Sequence, residues 1–208
     1  MQPILANVAV DLFLKGGPIM YPLLVAAVVA VAVAGERLLW WFRQSSRRDE
    51  ALVSKVLAAA EHGRWEEAMK LAESSQDPVA LVLAAGLEHR ETSLEGAIQI
   101  EAARELREAG RFIPTLDTLV TLAPLLGLLG TVTGIMASFN SIGTDELAVT
   151  KVTGGIGEAL IATAAGLGIA ISTLIPVNIL TTRLAGLQAD IEAAATALQV
   201  AAQKQSRR

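Results

Sequence analysis

The sequence predicts an all-α membrane protein: three transmembrane helices with a helical cytoplasmic extension, assembling as a ring. Three observations carry this reading. The chain of 208 residues is 52% hydrophobic and only 18% charged, with a mean hydropathy of +0.48, which is too apolar for a water-soluble domain of this size. Three long segments, Gly16–Gly35, Thr118–Thr144 and Ala159–Thr182, contain no charged residue, and at 1.5 Å per residue about 20 helical residues cross the roughly 30 Å core of a bilayer. The second and third segments each carry a stripe of small or hydroxylated residues at alternating steps of three and four: Pro124, Gly127, Thr131, Gly134 and Ser138 on one, Ala159, Thr163, Gly166, Ala170 and Thr173 on the other. That spacing holds one helix face. Small faces let membrane helices approach closely, and two of them look like the inner wall of an assembly.

The elements follow in order. Residues 1–16 lie outside the first span, which is read at 17–39. Lys15, an apolar run and Ala32-Val33-Ala34 also resemble a cleavable signal peptide; the length of the run and Glu36-Arg37 directly after it favour a retained span. Residues 40–114 form a soluble stretch with apolar residues at helical spacing, punctuated by Gly63, Asp77-Pro78 and Thr92-Ser93 into about four helices. The second span is read at 115–140, a short outer loop at 141–153, the third span at 154–182 and a tail at 183–208. Basic residues orient these pieces. Eleven of the 17 Lys and Arg fall between Arg37 and Arg111 and four follow the third span, whereas only Lys15 and Lys151 lie on the other side. The positive-inside rule therefore places the N-terminus outside, and the middle region and tail in the cytoplasm. Trp40 and Trp41 stand at the inner end of the first span, where an aromatic belt is expected.

Two carboxylates flank the last two spans. Asp117 stands near the inner end of the second, where a first-turn acid would be favoured by the helix dipole. Glu158 lies about one turn into the third, at a depth where charge is costly unless it meets protein or water. Thr131 and Thr163 each lie nine residues from the outer end of their span, so both sit roughly 13 Å below the outer surface. Two hydroxyls at one depth suit a pore lining; alternatively, each bonds a carbonyl of its own helix and only aids packing. Glu158 is rotated about 140° from Thr163 around the helix, which leaves two directions open, the pore and a neighbouring subunit. A threonine orders water but does not titrate near neutral pH. With no carboxylate at mid-membrane, proton conduction would need a titrating group from another chain, an Asp or Glu on a partner helix.

Other classes find little support. Cysteine is absent and the two histidines, His62 and His89, lie in the soluble stretch, which leaves no disulfide framework and no expected metal site or cofactor. A net charge of −4 gives no reason to expect nucleic-acid binding. Asp117 and Glu158 stand near opposite faces of the bilayer, too far apart for a catalytic dyad, so no enzyme is expected.

Thr121-Leu122-Ala123-Pro124-Leu125-Leu126-Gly127-Leu128-Leu129-Gly130-Thr131-Val132-Thr133-Gly134-Ile135-Met136, followed by Phe139, resembles the signature of the MotA/TolQ/ExbB proton-channel family. Gly155-Ile156-Gly157-Glu158-Ala159-Leu160-Ile161-Ala162-Thr163-Ala164-Ala165-Gly166-Leu167 resembles the third span of the same family. Gly16-Gly17-Pro18-Ile19-Met20-Tyr21-Pro22-Leu23-Leu24 with Glu36-Arg37 is similar to the ExbB branch, the biopolymer transport proteins. The resemblance implies a homopentamer in the bacterial inner membrane, its N-terminus periplasmic and its C-terminus cytoplasmic. The second and third helices would enclose two copies of a single-span partner, ExbD or TolR, whose membrane aspartate carries the proton. Thr131, Thr163 and Glu158 would line the proton path. The remaining stripe residues, Pro124, Gly127, Gly134, Ser138, Ala159, Gly166, Ala170 and Thr173, would pack helices or face the partner. Proton motive force would then power TonB-dependent transport at the outer membrane. A TolQ-like role in envelope integrity, with a TolA-like protein, and a non-conducting scaffold are the alternatives. One departure stands out: the family proline expected soon after Ala170-Ile171 comes later, at Pro176 before Val177-Asn178, which would shift a helix bend about one turn toward the cytoplasm.

Overall fold

The computed structural model describes residues 10–140 and 148–206, and every regular element among them longer than one turn or so is an α-helix. In chain order these are α1 (Met20–Ser45), α2 (Glu50–Glu61), α3 (Trp65–Glu73), α4 (Pro78–Glu88), α5 (Arg90–Ala109), α6 (Ile113–Asn140) and α7 (Ala148–Ser206). Residues 10–15 are also helical. Three helices, α1, α6 and α7, are long and apolar enough to cross a membrane. Their exteriors are apolar: Val25, Val31, Leu125, Ile171 and Ile175 are each more than 60% exposed, a surface suited to lipid or to other membrane chains and not to water. The expected N-terminal segment up to residue 9 and the expected outer loop up to residue 147 lie outside the described residues.

The helices run beyond the expected spans. The third expected span, 154–182, and the tail after it lie on one helix: α7 already includes Ala148 and runs through Pro176 to Ser206 without a break. A proline in a membrane helix loses one ladder hydrogen bond yet need not end the helix. Trp41, placed in an aromatic belt, is only 7% exposed; its ring is packed inside the protein and meets Trp40 edge to face at 5.4 Å.

The chain divides into two compact units, one formed by the residues up to Glu36 with Phe112–Asn178, the other by Arg37–Arg111 with the residues from Ile179 onward. In the first, Ala26 and Ala30 of α1 pack with Leu119 of α6. Phe112, where the chain enters this unit, holds φ at +64°, a left-handed conformation that is unusual for a bulky side chain.

The second unit is a helical bundle whose breaks have local causes. Asp49 caps α2 by accepting from the Leu52 N–H at 2.9 Å. His62 ends that helix, and Gly63, at φ +76°, turns the chain. Asp77 caps α4 with Pro78 in its first turn. Thr92-Ser93 breaks the helix as expected: within α5 the backbone at Ser93 is non-helical (φ −160°, ψ 73°), so a short turn from Arg90 and the helix running on to Ala109 are two pieces joined at a kink. The core is built from Val56, Ala68, Val79, Leu83 and Ile98, joined by a buried row on α7, Leu187, Ile191, Ala194, Leu198 and Ala201. That row steps by threes and fours, so the tail is a structural helix of this unit. Arg37, 2% exposed, donates to the Glu108 carbonyl at 3.1 Å and lies over the Trp40 ring, a favourable place for a cation at the C-terminal end of α5.

Glu105 on α5 has a carboxyl held above its ordinary range, chiefly by burial, with neighbouring Arg104 opposing and Glu101 and Glu108 adding to the rise. A carboxyl raised by folding favours the protonated native state, so its contribution is present at acid pH and is lost as pH rises through the folded value. Glu105→Gln is therefore expected to raise the melting temperature at pH 7, and this gain should vanish below about pH 4. Melting curves of both proteins at the two pH values check this; an equal gain at both would contradict it.

Candidate functional site

The two small-residue stripes meet one another within the chain. Starting near the top of the pair, the Ser138 hydroxyl lies where a Cβ on Gly155 would stand. Ser138 itself donates to the Gly134 carbonyl at 2.8 Å. A Cβ on Gly134 would come within 3.2 Å of both the Ala159 Cβ and the Gly155 carbonyl oxygen. On Gly130 it would be 2.6 Å from the Ala162 Cβ, and on Gly127 it would be 3.0 Å from the Ala162 oxygen and the Thr163 Cα. Gly166 lies against the Ala123 carbonyl and the Gly127 Cα. Residue numbers rise on α7 as they fall on α6, so the helices run antiparallel, backbone close to backbone. Such contact supplies the van der Waals packing on which membrane helices depend, because lipid gives them no hydrophobic drive to associate.

The other stripe members fall on the same side. Ala159, Ala170 and Thr173 on α7 are buried, and Thr173 donates to its own helix at Ile169 O, 2.7 Å away. Pro124 lies inside α6 and is half-buried. Ala123, Gly130, Gly155 and Ala162 belong to this seam and were not in the sequence-derived stripes. Their signal was available, since Ala123 and Gly130 flank Gly127 at steps of four and three, and Gly155 and Ala162 flank Ala159 in the same way.

The two threonines behave differently. Thr131, half-buried, donates to Leu128 O of its own helix at 2.6 Å. Thr163, also half-buried, reaches across the seam and donates to Gly127 O of α6 at 3.0 Å. In a regular helix that same carbonyl accepts from the N–H of Thr131, so one peptide group links the two positions. In both cases the hydroxyl hydrogen is committed to a carbonyl. Each oxygen then keeps lone pairs with which to accept from a proton-bearing group, and neither hydroxyl can itself store a proton.

Glu158 leaves the seam. It is half-buried on α7, and its carboxylate lies directly on Gly17 in the turn that precedes α1. The sequence reading left open whether this side chain faces the pore or a neighbouring subunit; within the chain, its carboxylate lies on the turn before the first span. Asp117 is exposed on α6, just beyond the first turn, which begins at Ile113. Among the described residues, no cluster of His, Cys, Asp and Glu is arranged to hold a metal ion.

Comparison with known proteins matches the same part of the chain. Residues 74–193, which include the whole seam, match the family described as the MotA/TolQ/ExbB proton channel family. The chain is 38% identical over 178 residues to a biopolymer transport protein, ExbB-like 1, of Synechocystis sp., an alignment covering 82% of this chain and 69% of that protein. It is 36% identical over 104 residues to the biopolymer transport protein ExbB of Neisseria gonorrhoeae, covering 50% and 47%. It is 37% identical over 95 residues to the Tol-Pal system protein TolQ of Haemophilus influenzae, covering 45% and 42%.

Proposed function

The chain belongs to the MotA/TolQ/ExbB proton channel family, and we propose that it is the channel subunit of an inner-membrane motor that uses proton motive force to drive TonB-dependent transport. In this reading the protein is a homopentamer with its N-terminus in the periplasm. It encloses an ExbD-like single-span partner whose membrane aspartate carries the proton. Thr131, Thr163 and Glu158 line the path, and the protein has no enzymatic activity and no cofactor.

The observation that carries the reading is the α6–α7 seam with its two committed hydroxyls. The Thr163 hydroxyl donates to Gly127 O and the Thr131 hydroxyl to Leu128 O, the next residue of α6, and counting from the span ends puts the two threonines at one depth. The uncharged runs Thr118–Thr144 and Ala159–Thr182 put no carboxylate between them. A wall of acceptors without a titrating group fits a path whose proton is carried by another chain. Of the two carboxylates Asp117 and Glu158 in the last two spans, Glu158 is the one near the outer end.

The experiment is proton uptake into liposomes holding the protein with the small partner that co-purifies in mild detergent. Thr131→Val together with Thr163→Val is expected to lower the flux at least tenfold, a loss of about 1.4 kcal/mol or more in transfer energetics. Unchanged flux in this variant would remove the threonines from the path. No flux from the unaltered complex would favour a scaffold. A TolQ-like role is the second reading, supported by the TolQ relative that matches nearly half of the chain. A TonB-like protein captured with the complex supports the first reading, and a TolA-like protein supports the second.

A further inference from the structure

The turn before α1 touches both helices of the seam. A Cβ on Gly16 would come within 3.1 Å of Ile161 on α7, and Ile19 packs against Gly130 on α6, where an added Cβ would be 2.7 Å from its Cγ2. Between them, Gly17 faces Glu158. A Cβ on Gly17 would fall on the carboxylate Oε1, so any side chain there would overlap the carboxyl group. Gly17 also holds φ at +73°, a conformation that L side chains rarely adopt. Two separate constraints, backbone conformation and space, therefore meet at Gly17, against which the carboxylate lies.

We infer that this turn is the seat of the Glu158 carboxylate and that Gly17 is a positioning residue of the proton path. The inference rests on the reading of Glu158 as part of that path. Gly17 carries no group that binds or moves a proton. It acts by letting the carboxylate lie on the turn instead of being pushed along the helix surface, and the anchoring of the turn on Gly130 and Ile161 fixes that position against both spans.

Two measurements test the inference. The first is a mutant cycle in the melting temperature of the purified protein, which needs no proton flux. Gly17→Ala is expected to lower the melting temperature clearly, and to lower it much less when Glu158 is already alanine, because the overlap is gone and only backbone strain remains. Equal losses in both backgrounds overturn the contact. The second is proton uptake with the partner present. Gly17→Ala is expected to reduce flux about tenfold, since displacing a reacting group by about 1 Å is enough to cost one to two orders of magnitude. Adding Glu158→Asp, one methylene shorter, should recover flux above that of Gly17→Ala alone, a rescue that a merely structural glycine would not show. Flux unaffected by Gly17→Ala despite a coupled cycle overturns the positioning role. Wild-type flux in Glu158→Gln, by contrast, overturns the reading of Glu158 itself while leaving the cycle intact.

Discussion

Gly166→Leu is expected to abolish the stable subunit. The glycine lies on the Ala123 carbonyl, with the Gly127 Cα 3.2 Å from where a Cβ would stand. Even a methyl group must move backbone, which yields far less readily than the end of a flexible side chain. A leucine would have to drive α6 and α7 apart at the point of closest approach. Overpacking of this kind costs about 1–3 kcal/mol in soluble cores. Here the separation also breaks the Thr163 to Gly127 hydrogen bond, 3.0 Å long and one turn away, a contribution of about 0.6–2 kcal/mol in membranes. The remaining seam contacts at Gly127, Gly130 and Gly134 depend on the same spacing and are lost with it. No solvent effect pushes the helices back together, because lipid solvates their apolar faces as well as protein does. The check is size-exclusion and thermal melting in mild detergent, with Gly168→Leu as the companion variant. Gly168 is on the same helix, but an added Cβ there meets nothing of its own chain within 4 Å, so that subunit should remain folded. A Gly166→Leu protein that melts like the unaltered one would show that the seam does not hold the helices.

The seam also shows how far the sequence alone could reach. The stripes were legible because steps of three and four keep small residues on one helix face, and nothing else in these spans is so regular. Their destination was not legible. Periodicity identifies a face but not what covers it, and the two faces close on each other within the chain. The equal depth of Thr131 and Thr163 could be counted from span ends, but not the direction of their hydrogens: Thr131 turns to its own helix whereas Thr163 crosses to Gly127. Arithmetic put Glu158 off the stripe, yet its contact with Gly17 joins residues 141 positions apart, beyond the range of any local pattern. The helix starts at Asp49 and Asp77 follow from capping chemistry. The left-handed Phe112 does not, since Gly110, two residues earlier, is the residue that would be expected to adopt that conformation. The family resemblance adds residue roles that no geometric argument supplies.

Asp77 is the second position where a large effect is expected, now in the helical bundle. Its carboxylate is completely buried. One oxygen caps α4 by accepting from the Val79 N–H at 2.8 Å, and the other accepts from the Asp49 N–H at 2.7 Å with the Arg48 Nε 3.3 Å away. Its own N–H donates to the Ser75 hydroxyl at 3.1 Å. Arg48 then reaches on to Asp190 of α7 at 2.7 Å, so one arginine joins the turn before α2, the start of α4 and the tail helix. Asp77→Ala removes the cap, a loss of about 0.5–2 kcal/mol, and takes the acceptor from the Asp49 N–H. It also strips a mostly buried guanidinium of one of its two carboxylates. Removing one partner of a buried pair typically costs about 3–5 kcal/mol in all, and since these contributions overlap the whole variant is placed in that range. Asp77→Asn separates them, because the amide oxygen can still cap α4 while the charge opposite Arg48 is gone; about half of the loss is expected to remain. Hydrogen exchange should register Asp77→Ala as faster exchange at the Asp49 and Val79 amides and along the first turn of α4. Exchange there at the unaltered rate would mean that the carboxylate is a passenger in the bundle. The Asn variant decides which part dominates: if it behaves like alanine, the ion pair with Arg48 holds this junction, and if it behaves like the unaltered protein, the cap does.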